Sequence, residues 1–81
     1  MSMLSTTETA RERFARNLRS WREARGLSQQ ILAEQAALSR QYISKVENSA
    51  ASVSIDTMEK LAVVLAIDIA DLLSKPVSHH P

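Results

Sequence analysis

Apolar positions recur along this chain with the 3.6-residue period of an amphipathic helix. Over residues 10–25 the apolar side chains Phe14, Leu18 and Trp21 fall at i, i+4 and i+7, one stripe on one helix. Thr6, Thr7 or Thr9 offers a cap at its start, and Gly26 stops it, since glycine enters the left-handed region without a Cβ penalty. Leu27 is then placed to plug the core. Ser28 caps a second helix with Gln29 and Gln30 in its first turn and an apolar stripe of Ile31, Leu32, Ala33 and Ala36. Ala36, Ala37 and Leu38 make a tight connection without proline to Ser39, the cap of a third helix that begins Arg40-Gln41 and buries Ile43 and Val46. A small polar loop, residues 48–52, leads to Ser54 and a fourth helix ending near residue 66. Its inner stripe is Ile55, Met58, Leu61, Ala62 and Leu65, with Val63 and Val64 partly off that stripe. Asp68 and Asp71 have the spacing of a capping box, with Asp in place of the usual Glu, and open a short fifth helix over residues 69–74 that Pro76 ends.

Composition agrees with an all-α fold. One glycine and two prolines, against many Ala, Leu, Glu and Gln, favour helices throughout. At 81 residues the chain has room for one domain with a small core. The expected layout is an N-terminal arm over residues 1–9, a five-helix domain over residues 10–75 and a tail over residues 76–81. The absence of cysteine removes disulfides and thiolate metal sites. His79 and His80 read as tail rather than metal ligands, because no other ligand lies near them in sequence. No apolar run approaches the roughly 20 residues needed to span a bilayer, and no signal peptide is visible, so a cytoplasmic protein without a cofactor is expected.

The chemistry concentrates between residues 28 and 47. Two short helices joined this tightly, the second with Arg40, Gln41, Ser44 and Lys45 opposite its apolar stripe, read as a helix-turn-helix. Those side chains include the types that read base edges. The net charge of +1 is no argument for nucleic acid, but its distribution is informative. Residues 1–49 hold eight Arg/Lys and five Asp/Glu, a net of +3; residues 50–81 hold two Lys and four Asp/Glu, a net of −2. That asymmetry suits one face toward a polyanion and another toward a partner. Arg13, Arg16, Arg19, Arg22 and Arg25 recur every third residue. Each step moves about 60° around the helix, so the five fan over about 240° and cannot all meet one DNA backbone. Most are expected to be solvated or paired with nearby glutamates.

The words RGLSQQILAEQAALSRQYISKVENS and SIDTMEKLAVVLAIDIADLL, in that order and spacing, resemble the phage-repressor-like Cro/Xre-type helix-turn-helix family over residues 16–73. The chain length and SRQYIS further resemble the small controller proteins of restriction–modification systems, with stand-alone phage or plasmid regulators as close competitors. The resemblance implies a compact five-helix lambda-repressor-like domain that binds operator DNA as a two-fold dimer. It implies base contacts from Arg40 and Gln41, with Ser44 and Lys45 along the same groove; Arg suits guanine O6/N7 and Gln suits adenine N6/N7. It places Gln29, Asn48 and some helix-one arginines on phosphates, and Tyr42 on the backbone or a thymine methyl. Arg22 and Glu47 match a family pair that joins helix one to the end of helix three. Two departures stand out: many relatives have glycine where this chain has Ala37, and Ala50 and Ala51 stand where relatives carry Gly and Arg/Lys.

The leading function is therefore a sequence-specific, dimeric regulator of transcription on an inverted-repeat operator in double-stranded DNA. Blocking RNA polymerase and contacting it both remain open. The expected dimer surface is the acidic C-terminal half, with Val63, Val64, Ile67, Ile69 and Leu73 supplying apolar area. A second class is an antitoxin-like or other protein-interaction module on the same fold. An enzyme is disfavoured: there is no cysteine, no internal histidine and no glycine-rich phosphate loop. RNA binding is disfavoured too, since one Phe, one Tyr and one Trp build no stacking platform.

Overall fold

A computed structural model describes residues 8–75 of the chain. The expected N-terminal arm, apart from Glu8 and Thr9, and the tail with His79 and His80 lie outside the described residues. Five helices follow one another: α1 (Ala10–Ala24), α2 (Gln29–Gln35), α3 (Arg40–Glu47), α4 (Ile55–Leu65) and α5 (Ile69–Leu73). There is no strand among the described residues.

Each helix starts on a side-chain cap. Thr9, Ser28, Ser39 and Ser54 accept N–H bonds from Glu12, Ile31, Tyr42 and Thr57 respectively, which satisfies donors the first turn leaves unpaired. Thr9 and Glu12 form a reciprocal capping box. Asp68 and Asp71 form another at α5, the Asp71 carboxylate accepting from the Asp68 N–H at 3.1 Å.

The first four helices also end alike. Gly26, Ala37, Ser49 and Ala66 take left-handed φ values of 70°, 58°, 61° and 59°. After each, the next residue's N–H reaches back to a carbonyl of the last turn: Leu27 to Arg22, Leu38 to Ala33, Ala50 to Lys45 and Ile67 to Ala62, at 2.8–3.0 Å. This is the Schellman pattern. In three of the four the donor is an apolar residue packed on the core, Leu27, Leu38 or Ile67. Only one turn uses glycine, so three L-residues hold a conformation that Cβ crowding disfavours.

The core joins all five helices. Phe14 and Leu18 of α1, Leu32 and Ala33 of α2, Ile43 and Val46 of α3, Leu61, Ala62 and Leu65 of α4, and Leu72 of α5 are buried in one cluster. Burial of each large aliphatic contributes about 1.5–3 kcal/mol. Two expected stripe members are not inside. Ile55 is 66% exposed and Ile31 is also exposed. Burial along α4 rises from exposed Ile55, through half-buried Met58, to fully buried Leu61 and Leu65. The helix thus enters the core only after its first turn, and α2 does the same. Asn17, missed in the sequence, is buried on the same face of α1 as Phe14. Its amide donates to the Leu72 and Ser74 carbonyls at 3.0 and 2.8 Å, closing the C-terminal end of α5 onto α1.

Candidate nucleic-acid interface

The site begins with how α3 is held. Its apolar residues Ile43 and Val46 are buried, so its opposite face is turned out by the 3.6-residue period. Arg40, Gln41 and Lys45 are exposed and Ser44 is half-buried. Arg40 and Ser44, and Gln41 and Lys45, are four apart and therefore neighbours on one helix face. No ion pair among the described residues uses Arg40 or Lys45. The four expected base-reading side chains thus share one accessible surface.

The C-terminal end of α3 is the opposite case. The Glu47 side chain is 1% exposed; Arg22 and Gln29 donate to its carboxylate, and Arg19 Nε of α1 lies 3.7 Å from Oε1. Arg22 of α1 donates from Nε to Oε2 at 2.7 Å and from Nη2 to Oε1 at 3.0 Å, a bidentate fork. Arg22 Nη1 donates to the Leu27 carbonyl at 2.8 Å. The hydrogen bonds to the Glu47 carboxylate hold the Arg22 guanidinium above its already high ordinary pKa, so Arg22 stays charged at any ordinary pH. Gln29 of α2 donates from Nε2 to Glu47 Oε1 at 3.1 Å. Glu47 therefore fastens α1, α2 and α3 together. Gln29 is half-buried by this bond, and its amide keeps a second N–H for another acceptor. Asn48, the next residue, is exposed at the end of α3.

Tyr42 is placed differently from its expected role on the DNA backbone. Its ring packs against the core, and its hydroxyl donates to the Ser52 carbonyl at 2.9 Å. A phenol has one proton to give. In this conformation Tyr42 ties α3 to the following loop and offers a phosphate no donor.

The helix-one arginines separate by partner. Arg16 bonds Glu8 and donates from Nη1 to Asn17 Oδ1 at 2.9 Å, and Arg13 lies 3.5 Å from the same glutamate. Hydrogen bonding from Arg16 lowers the Glu8 pKa, desolvation opposes it, and the charge of Arg16 and the nearby Arg13 add smaller lowering effects. Arg25 donates from Nε to the Leu65 carbonyl at 2.7 Å, closing the end of α4, and its guanidinium lies 5.1 Å from the Trp21 ring centre. These placements carried no signal in local sequence beyond the charges themselves. Asn17 did: it stands three residues after Phe14, on the apolar face.

The five expected dimer residues do not form one patch. Val63 is 73% exposed, and Val64, Ile67 and Ile69 are half-buried against the core. Val63 and Val64 line a shallow depression with Gln35, Ala37, Glu59 and Lys60, and a second one joins Val63 to Ile67 and Ile69. Leu73 lines a separate depression with Ala10, Phe14 and Met58. No helix among the described residues is long and apolar enough to cross a membrane.

This arrangement, two short helices packed across a tight turn with the second facing outward, is that of a helix-turn-helix DNA-binding module. The helix-turn-helix family HTH_3 matches residues 18–72, and the chain belongs to that family of DNA-binding transcription regulators. It is 38% identical over 65 residues to the control protein C.SmaI of Serratia marcescens, covering 80% of this chain and 77% of that one. It is 36% identical over 63 residues, 78% of its length, to a hypothetical transcription factor of Neisseria meningitidis serogroup B, of which it spans 59%. The crystal structure of the restriction-modification controller protein C.AhdI from Aeromonas hydrophila superposes with a TM-score of 0.75 at 39% identity, over 76% of this chain and 90% of that one.

Proposed function

We propose that this protein is a sequence-specific regulator that binds an inverted-repeat operator in double-stranded DNA as a homodimer, in the manner of a restriction–modification controller. The observation that carries the reading is the outward face of α3. Arg40 and Gln41 stand exposed in its first turn, on a helix whose other face is buried and whose far end is anchored by Glu47. A long donor-rich side chain costs less to order when its helix is already fixed. Arg40 and Gln41 read base edges, Ser44 and Lys45 lie along the same groove, and the free N–H of Gln29 and the amide of Asn48 hold phosphates on either side. Tyr42 keeps α3 in register with its loop and presents its ring edge to a thymine methyl.

Dimerisation follows from size. One small domain makes few base contacts, and two-fold pairing doubles them over half-sites about one helical turn apart. Val63, with Val64, Ile67 and Ile69 around it, is the surface for that pairing; Leu73 belongs to a different depression. The protein works in the cytoplasm, where its concentration sets the dimer population and so the occupancy of the operator.

In-vitro selection from a random duplex pool, followed by titration of the enriched sequence, tests the reading. An enriched inverted repeat bound by an even number of protomers is the expected result. Folded protein that enriches nothing at low salt would overturn it, and would turn attention to a protein partner.

A further inference from the structure

We infer that Glu59 and Lys60 set how two copies of this chain pair: across the two-fold axis Glu59 of each copy faces Lys60 of the other, and the two α4 helices run parallel. The inference rests on the homodimer reading above and gives that surface an arrangement.

The outward face of α4 is centred on Val63, which is 73% exposed. Glu59 stands four residues before it and Lys60 three. At about 100° per residue they lie on opposite sides of Val63, about 40° one way and about 60° the other. Because they are consecutive, they differ by only about 1.5 Å in height along the helix. Both are exposed, and no ion pair among the described residues uses either.

The surroundings extend this division. On one side of Val63 a depression runs to α5 and is lined by Glu59, Ile67, Asp68 and Ile69. On the other a depression runs to α2 and is lined by Gln35, Ala37, Lys60 and Val64, with Glu59 reaching its border too. The charged side chains of the two are therefore Glu59 and Asp68 toward α5, and Lys60 toward α2. Asp56 lies two turns before Val63 and nearly in line with it, so it favours neither flank.

Symmetry turns this layout into a choice. A two-fold pair lays one surface patch on its own copy. With the axis along α4 the two helices run parallel, and each flank meets the opposite flank of the second copy. With the axis across α4 they run antiparallel, and each flank meets its own copy. The first arrangement sets Lys60 against Glu59 and Asp68, twice over. The second sets acid against acid and lysine against lysine. Opposite charges facing each other stabilise an interface and like charges oppose it. The similar heights of Glu59 and Lys60 let the parallel pairs meet directly, as charges beside the seam of a parallel coiled coil do.

The test is sedimentation equilibrium of the full chain without DNA, at about 50 mM and about 500 mM salt. It compares wild type with Glu59→Lys, with Lys60→Glu and with the double exchange. Circular dichroism should show unchanged helix content in all three variants, because both residues are exposed. Wild type is expected to dimerise less tightly as salt rises. Each single change puts like charges at two symmetric places and is expected to weaken dimerisation about tenfold at low salt. The double exchange restores opposite pairs and should recover most of the affinity. Single changes without effect, a double no better than the singles, or a wild-type dimer that tightens with salt would each overturn the inference. Val63→Asp separates that failure from failure of the surface itself. If it weakens dimerisation while the charge variants do not, the pairing surface stands and only the arrangement falls. If it too has no effect, or if wild type stays monomeric at every concentration, the homodimer reading of this surface falls and the inference with it.

Discussion

The two ends of α3 are built on opposite principles. At the N-terminal end Arg40 and Gln41 stand in solvent; at the C-terminal end the Glu47 carboxylate is closed off from solvent and gripped from two other helices. One end can change its side chains without disturbing the fold, and the other cannot. On the DNA-binding reading proposed above, specificity can vary on α3 while Glu47 holds the helix in place. A recognition helix needs both properties, and eight residues are enough to hold them apart.

The largest effect should come from breaking the closed end. Glu47→Ala leaves the mostly buried Arg22 guanidinium without its partner and is expected to cost about 3–5 kcal/mol, a large share of a small domain's stability. Urea unfolding measures it. The double substitution Arg22→Met, Glu47→Leu should be less damaging than either single change, because no charge is then stranded. Equal damage in the double would mean that the pair positions the helices in a way apolar packing cannot replace.

At the open end the effect moves from stability to recognition. Arg40→Ala should leave the melting temperature within about a degree or two, as surface substitutions generally do. It should cost about 1–3 kcal/mol in binding, with preference relaxed at a single base position. Repeating the selection with the variant reads this directly. A uniform loss over all sequences would place Arg40 on a phosphate and would blur the contrast between the two ends.

The turn that joins α2 to α3 lies between these cases. Ala37 holds φ 58°, where an L-residue pays roughly 1–2 kcal/mol and glycine pays mainly entropy. Ala37→Gly is expected to raise stability by about 1 kcal/mol without altering the selected operator. A fall in stability would mean that the Ala37 methyl contributes packing that outweighs its strain.

The smallest effect concerns pH. Glu8 has a folded pKa below its ordinary value because Arg16 hydrogen-bonds its carboxylate. Its contribution is fully present above the ordinary carboxylate range and is lost as pH falls through the lowered value. A carbon-detected titration of the Glu8 carboxyl should show the downward shift, and Arg16→Ala should abolish most of it. A Glu8 titrating at its ordinary value in the wild type would mean that the Arg16 contact is not held in solution.

Much of the architecture is local and was legible residue by residue. The caps at Ser28, Ser39 and Ser54, the stop at Gly26 and the Asp68/Asp71 box each act within a few residues, and the structure places them at the helix ends they implied. The same holds for the outward face of α3, which follows from the burial of Ile43 and Val46 and the period of a helix. Periodicity was a weaker guide at helix starts. Ile31 and Ile55 have the right spacing but lie beyond the reach of the neighbouring helices, and spacing alone does not reveal where cover ends.

What only the tertiary structure decided is the allocation of polar partners. Arg22 and Glu47 are 25 residues apart, and family resemblance rather than pattern brought them together; nothing local joins Gln29 to that pair. The five arginines spaced every third residue from Arg13 to Arg25 are indistinguishable in sequence, yet packing gives them different tasks. One closes α4, one anchors α3, two hold Glu8, and one is left beside the end of α3 with its charge exposed. Tyr42 and Asn17 were settled in the same way, by which carbonyls the folded chain brought within 3.0 Å of them. Helix formation and capping depend on neighbours a few residues away, so sequence determines them. Ion pairs and buried hydrogen bonds depend on which surfaces meet, and that is fixed only when the helices pack.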